Sequence, residues 1–238
     1  MKPYNRIVTC LFALVVIAGC ASTEVSNRQI LTGENEKAPR PGHIWVYDFA
    51  ATPAEVPADS ALAGKHSEHP APQTAEQIEM GRQMGALIAT QLVEEIRGMG
   101  LPGARGSTGT NPEINDLVIK GYLLSLDEGD ATKRVAVGFG SGASHLSVVA
   151  EGFQMTAQGL RKVGSGNIDA GGGKTPGGAV GVAGLIVTGN PAGLIVGTGA
   201  KAYGEYSGSS KIEGRAKAIA KEMAEMIKPK FQQQGWIQ

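Results

Sequence analysis

Between residues 43 and 49 the chain alternates Ile44, Val46 and Asp48 with Trp45, Tyr47 and Phe49, so both faces of an extended segment are largely apolar. Such a pattern predicts a central strand covered on both sides. From Thr74 the period lengthens. Ile78, Met84, Ile88, Leu92 and Ile96 recur at near-helical intervals, and Leu87 and Val93 widen the stripe. Thr74 and Gln77 stand where a capping box needs them, so a helix is expected to about Arg97, with Gly98, Gly100 and Pro102 stopping it. Strand patterning returns over residues 116–126, turns at 127–130, and returns again over 144–157, with a shorter candidate at 132–137. Finally Ile212, Ala216, Ile219, Met223 and Ile227 predict an amphipathic helix over about 211–228, which Pro229 should end or kink. The order predicts an α+β domain, a mostly antiparallel sheet packed by two main helices.

Composition changes this picture in one region. Glycine is the outlier, 35 of 238 residues, most of the excess lying between Gly138 and Gly208. Residues 164–178 read as a loop of Gly, Asn, Asp and Ser, and residues 164–208 as a Gly-rich apolar insertion before the last helix. Residues 175–200 carry no charge, long enough to cross a bilayer, but Asn190-Pro191 interrupts them and suits the N-cap and first residue of a new helix. On that helix Gly193, Gly197, Ala200, Gly204 and Gly208 would form a small-residue face, an interaction face for the segment 180–187, a second copy or another envelope protein.

The amino-terminal residues supply an address. Lys2 and Arg6 precede an apolar run from Ile7 to Ile17, too short for a membrane span, and Ile17-Ala18-Gly19-Cys20 follows. The four residues resemble the lipobox of bacterial lipoproteins, in which the Cys is acylated and becomes the first residue. Residues 1–19 are therefore expected to be a signal peptide, and residues 20–42 a lipidated Cys20 with a polar, flexible tether. Residues 43–238 are left as one domain. Acyl chains such as palmitate would hold the protein to a membrane without spanning it. Ala21, in place of an Asp, favours the outer membrane facing the periplasm in a Gram-negative cell, and a cell-membrane lipoprotein otherwise.

Candidate chemistry is sparse. Cys10 leaves with the signal and Cys20 is committed to lipid, so neither disulfides nor thiolate metal sites are expected. Without Lys2 and Arg6 the mature chain has a net charge of about −2 and no basic block, which argues against nucleic acid as a partner. His66 and His69 flank Glu68 and are weak metal candidates, with no third strong ligand nearby. Gly138, Gly140 and Ala143 imitate a dinucleotide fingerprint, but strand rather than helix follows them. Asp48 is either a site carboxylate or a residue capping the strand exit, and the second is favoured. No catalytic residues and no cofactor are expected.

Several short motifs together carry a resemblance: the lipobox, Val46-Tyr-Asp-Phe49, Arg134 with Gly138-Phe-Gly140, Asn190-Pro191 and Gln234-Gly-Trp-Ile237. They resemble an exported bacterial lipoprotein family catalogued as a domain of unknown function, number four-four-one-zero, over about residues 44–237. The resemblance implies a fold similar to the amino-terminal domain of TolB-type translocation proteins and to curli-secretion lipoproteins, and it brings no catalytic residues. The expectation is a lipid-anchored, non-enzymatic interaction module of the cell envelope, binding an envelope protein or itself. The alternatives are a component of a secretion or pore assembly, and a periplasmic enzyme whose site the sequence does not display.

Overall fold

The computed structural model describes residues 22–30, 37–56, 58, 60, 73–127, 145–171 and 212–238. Strands β1 (Ser22–Ile30), β2 (Ile44–Val46), β3 (Gly103–Arg105), β4 (Leu117–Asp127), β5 (His145–Thr156) and β6 (Gly159–Gly171) form one sheet in the order β1-β6-β5-β4-β2-β3. β2 runs parallel to both β3 and β4, and the remaining pairs are antiparallel. Two helices, α1 (Ala75–Gly98) and α2 (Ile212–Gln234), pack side by side on one face. The domain is the expected α+β fold. Among the described residues, no helix is long and apolar enough to cross a membrane.

Helix α1 begins as its sequence dictates. Thr74 accepts from the Gln77 amide at 3.2 Å, and the Gln77 side chain accepts from the Thr74 amide at 2.9 Å. Met84, Ile88, Leu92 and Ile96 are buried on its sheet-facing stripe, each large side chain contributing about 1.5–3 kcal/mol by leaving water. Gly100, with φ of 80°, turns the chain out of the helix.

The strand expected over residues 43–49 is regular only from Ile44 to Val46. Tyr47 still donates to the Ile119 carbonyl at 3.0 Å and Ala50 to that of Gly121 at 2.8 Å, but Phe49 turns its amide toward Gly85 of α1, 3.4 Å away. Phe49 thereby drops its ring onto the sheet beneath α1, which interrupts the ladder.

Three expectations need correcting. The loop predicted at 164–178 is strand as far as Gly171, so the Gly-rich insertion begins inside the sheet. Ile168 and Ala170 are buried there, and a Cβ at Gly166 would meet Met226 of α2 at 3.2 Å. Glycine in β6 lets a helix lie close to the sheet. Residues 22–30, expected to belong to a tether, form edge strand β1, paired with β6 from Ser22↔Gly171 to Ile30↔Gly164. Backbone pairing at an edge asks little of the side chains, and Val25 alone of the described β1 side chains packs on the core. Lastly, α2 passes through Pro229 and runs to Gln234. Pro229 and Glu225 are exposed, so water can take the carbonyl that the missing N–H leaves behind.

The far end of α2 explains why the helix continues. Gly235, φ of 75°, donates to Gln232 at 2.9 Å and Trp236 to Phe231 at 3.0 Å, a Schellman closure. Phe231 is buried, and its ring meets that of Trp236 at 5.4 Å. Burying these two aromatics stabilises the last turn by an amount comparable to the ~3 kcal/mol that a helix-interior proline costs. Phe231→Ala is expected to fray α2 back to Pro229, measurable as loss of hydrogen-exchange protection at residues 230–236.

Candidate functional site

Two constructions stand out on opposite faces of the sheet. The first is a cavity of about 390 Å³ between the sheet and the carboxyl-terminal half of α2. Its floor is low because small residues pair across β5 and β6, Ala150 with Gly166 and Gly152 with Gly164. Met223, Met226, Ile227 and Phe231 form the roof. The third wall is the segment 37–39: Ala38 donates to Gln234 Oε1 at 2.7 Å and accepts from Trp236 Nε1 at 3.1 Å. The Schellman turn thus fastens a wall to a roof.

The mouth of the cavity is held by the turn before β4. Asn115 adopts φ of 77°, donates to the Met155 carbonyl at 2.9 Å, and Met155 donates back to Asp116 at 2.9 Å. Asp116 is buried and collects the amides of His43 (2.8 Å) and Glu113 (3.0 Å) and the indole of Trp45 (2.9 Å). This anchoring leaves Ile114 at the mouth and 62% exposed, the one large exposed hydrophobic side chain among the described residues. Lys37, Arg161 and Lys230 line the same cavity.

On the other face lies a buried polar cluster. Glu151, 1% exposed, accepts from Ser60 at 2.7 Å and from Tyr122 at 2.9 Å, and its second oxygen pairs with Lys162 at 2.5 Å. Four polar groups satisfy one another beneath the described segment 50–56 and Ser60, on the face of the sheet opposite α2. The cluster is an internal fastening of that segment to β4, β5 and β6.

Asp48 resolves as the residue at the strand exit. It is exposed and bonded to Arg105, which also reaches Thr90 and the Ala86 carbonyl. Burial holds the Arg105 guanidinium below its ordinary value, as it does that of the buried Arg215 on α2. Tyr47 is moved the other way, up, because burial outweighs its bond to Thr110. Glu55 feels burial raising its value most strongly, but the amides of Ala51 and Thr52 and the Arg82 guanidinium together bring its carboxyl below 4.5. A lowered carboxylate stabilises the fold above its unfolded value and loses that contribution as pH falls through the folded one. Glu55→Gln should therefore flatten the fall in urea midpoint below about pH 4.5, and an unchanged slope would contradict the assignment.

Cys20, His66, His69 and the face Gly193, Gly197, Ala200, Gly204 and Gly208 lie outside the described residues. Among the described residues no three His, Cys, Asp or Glu side chains come together to hold a metal. Sequence reasoning missed the cavity residues Gly152, Arg161, Gly166 and Lys230, and also Glu151, although one signal was there. Glu151 is the single charge within the apolar strand Leu146-Ser-Val-Val-Ala-Glu-Gly-Phe153.

The geometry defines a two-layer α+β domain with an apolar cavity between its layers. Residues 44–189 match the family described as Domain of unknown function (DUF4410), and the chain belongs to that family. No curated protein matches it. Among solved structures it is similar to a dodecamer of a PelC variant from Paraburkholderia phytofirmans, at 12% identity and a TM-score of 0.40, over 87% of this chain and 96% of that one. A second PelC dodecamer from the same organism is 11% identical with a TM-score of 0.37, over 73% and 92%. Both are described as PelC, where the sequence resemblance implied likeness to TolB-type and curli-secretion proteins.

Proposed function

We propose that the protein is a lipid-anchored, non-enzymatic binding module of the cell envelope, and that the cavity under α2 is where it binds. The cavity carries the reading. It is mostly apolar, its volume falls in the range of ligand pockets, and its mouth keeps Ile114 exposed on a turn bonded on both sides. Anchoring rests on Ile17-Ala18-Gly19-Cys20, with the outer membrane as the expected site, the protein facing the periplasm.

The position of β1 sharpens the anchoring. Ser22 opens the strand, so an acylated Cys20 would lie within about 7 Å of the sheet edge rather than at the end of a long tether. That edge is the Gly171 end of β6, whereas the cavity floor at Gly164 lies seven residues along it, roughly 23 Å away. The cavity then faces away from the membrane, toward a partner in the periplasm.

Cys20→Ser is expected to move the protein from the membrane fraction to the soluble one after a salt wash. Retention on the membrane would mean that another segment holds it. A photo-crosslinking residue at position 114, in the full chain in cells, should give a discrete adduct that disappears with Cys20→Ser. Absence of any adduct would overturn the assignment of the cavity.

A further inference from the structure

Resting on that reading of the cavity, we infer that its occupant is a single acyl chain with an anionic head, a free fatty acid in chemical class. Three observations point there. First, the walls offer little to a peptide. The floor is strand interior and the roof is helix, so their backbone groups are already paired, and a peptide backbone buried there would lack partners. A hydrocarbon chain has no such groups to satisfy. Second, the roof is Met223, Met226 and Ile227, flexible side chains that follow an extended aliphatic shape, with Met226 lying over Gly166. Third, the charges are of one sign. Lys37, Arg161 and Lys230 line the cavity, and the one acidic residue along it, Glu151, turns its carboxylate to the opposite face of the sheet, where Lys162, Ser60 and Tyr122 take it up. Arg161 is exposed and bonds Gln154 Oε1 at 2.9 Å, and Lys230 is half-buried beside Gln233 at 3.2 Å. An aliphatic body below and cations at the exposed margin match an amphiphile with a negative end.

The test uses the full chain carrying Cys20→Ser, so that no acyl group of its own competes. Dodecanoate and 1-dodecanol, both below their aggregation limits, are titrated by calorimetry. Dodecanoate should bind as a single site and more tightly than dodecanol. Reversing two margin charges, Arg161→Glu with Lys230→Glu, should weaken dodecanoate by roughly tenfold, as two partly screened charge contacts allow, and leave dodecanol unchanged. Gly152→Leu should abolish both. A Cβ there meets Val163 only at 3.6 Å, so the new side chain fills the cavity without a backbone clash. An unchanged melting midpoint in that variant confirms that it folds, and Ile227→Phe, which fills the cavity from the roof, replaces it if it does not.

Equal affinity for dodecanoate and dodecanol, binding that survives both cavity-filling variants, or no binding of either probe would each overturn the proposal. The outcomes separate from those of the broader reading. A protein adduct at position 114 without dodecanoate binding sinks the fatty-acid assignment and leaves a binding module, whereas absence of the adduct removes the module itself.

Discussion

Lys162→Met is expected to lower the unfolding free energy by about 3 kcal/mol, the low end of what removing one partner of a buried pair costs. The low end applies because Lys162 keeps 22% of its side chain in water while Glu151 keeps 1%. Removing the ammonium takes away the charge 2.5 Å from the carboxylate and leaves Ser60 and Tyr122 donating to its other oxygen, so less of its desolvation is offset. Glu151→Leu alone disturbs the opposite set: the lysine can swing toward solvent, but the hydroxyls of Ser60 and Tyr122 each lose a buried charged acceptor, at about 1–3 kcal/mol for the site. The double variant Glu151→Leu/Lys162→Met should cost less than the sum of the two, since it removes both charges together. Chemical denaturation of the four proteins measures the coupling. Additive losses would mean that the pair does not act as a unit, and that Ser60 and Tyr122 alone hold the segment above them.

Legibility in the sequence followed how each element earns its stability. Helix α1 was readable almost residue for residue, because the Thr74–Gln77 box and the stripe from Met84 to Ile96 are local patterns that tertiary contacts only reinforce. Strands β4 and β5 were readable for the same reason. By contrast β1 and β6 depend on each other. Ser22 to Ile30 is polar, and Gly164-Ser-Gly-Asn167 looks like loop, yet backbone pairing with neighbours fixes both. The end of α2 was misjudged because Pro229 is a local signal, whereas Phe231 and Trp236 decide the helix through the core and the wall at Ala38. The cavity was the least visible part. Its floor is an absence of side chains at Gly152, Gly164 and Gly166, and that absence becomes a feature only once α2 is seen above it. The chemistry of the site therefore had no motif to announce it, and Arg161 and Lys230, 69 positions apart, share it only through the fold.

Gly85→Ala should be the most damaging single methyl that the described residues can receive. Phe49 is clamped between two glycines: a Cβ at Gly85 would stand 2.2 Å from the Phe49 carbonyl oxygen, and one at Gly121 would stand 2.1 Å from the Phe49 ring. The two collisions differ in kind. At Gly121 the obstacle is a side chain, so Gly121→Ala is expected to cost about 1–3 kcal/mol while the ring shifts, and Phe49→Leu should restore part of it by shortening what was struck. At Gly85 the obstacle is backbone in a segment fixed on both sides, by Tyr47 on Ile119 and Ala50 on Gly121. Relief then requires α1 to lift off the sheet, opening the contacts of Met84, Ile88 and Leu92 together, so a loss of at least about 3 kcal/mol is expected. Phe49→Leu should give no rescue there, because it leaves the carbonyl where it was. Urea midpoints of the two glycine variants, with and without Phe49→Leu, read the difference directly. Rescue of Gly85→Ala by Phe49→Leu would show that the ring, not the backbone, sets the spacing between α1 and the sheet.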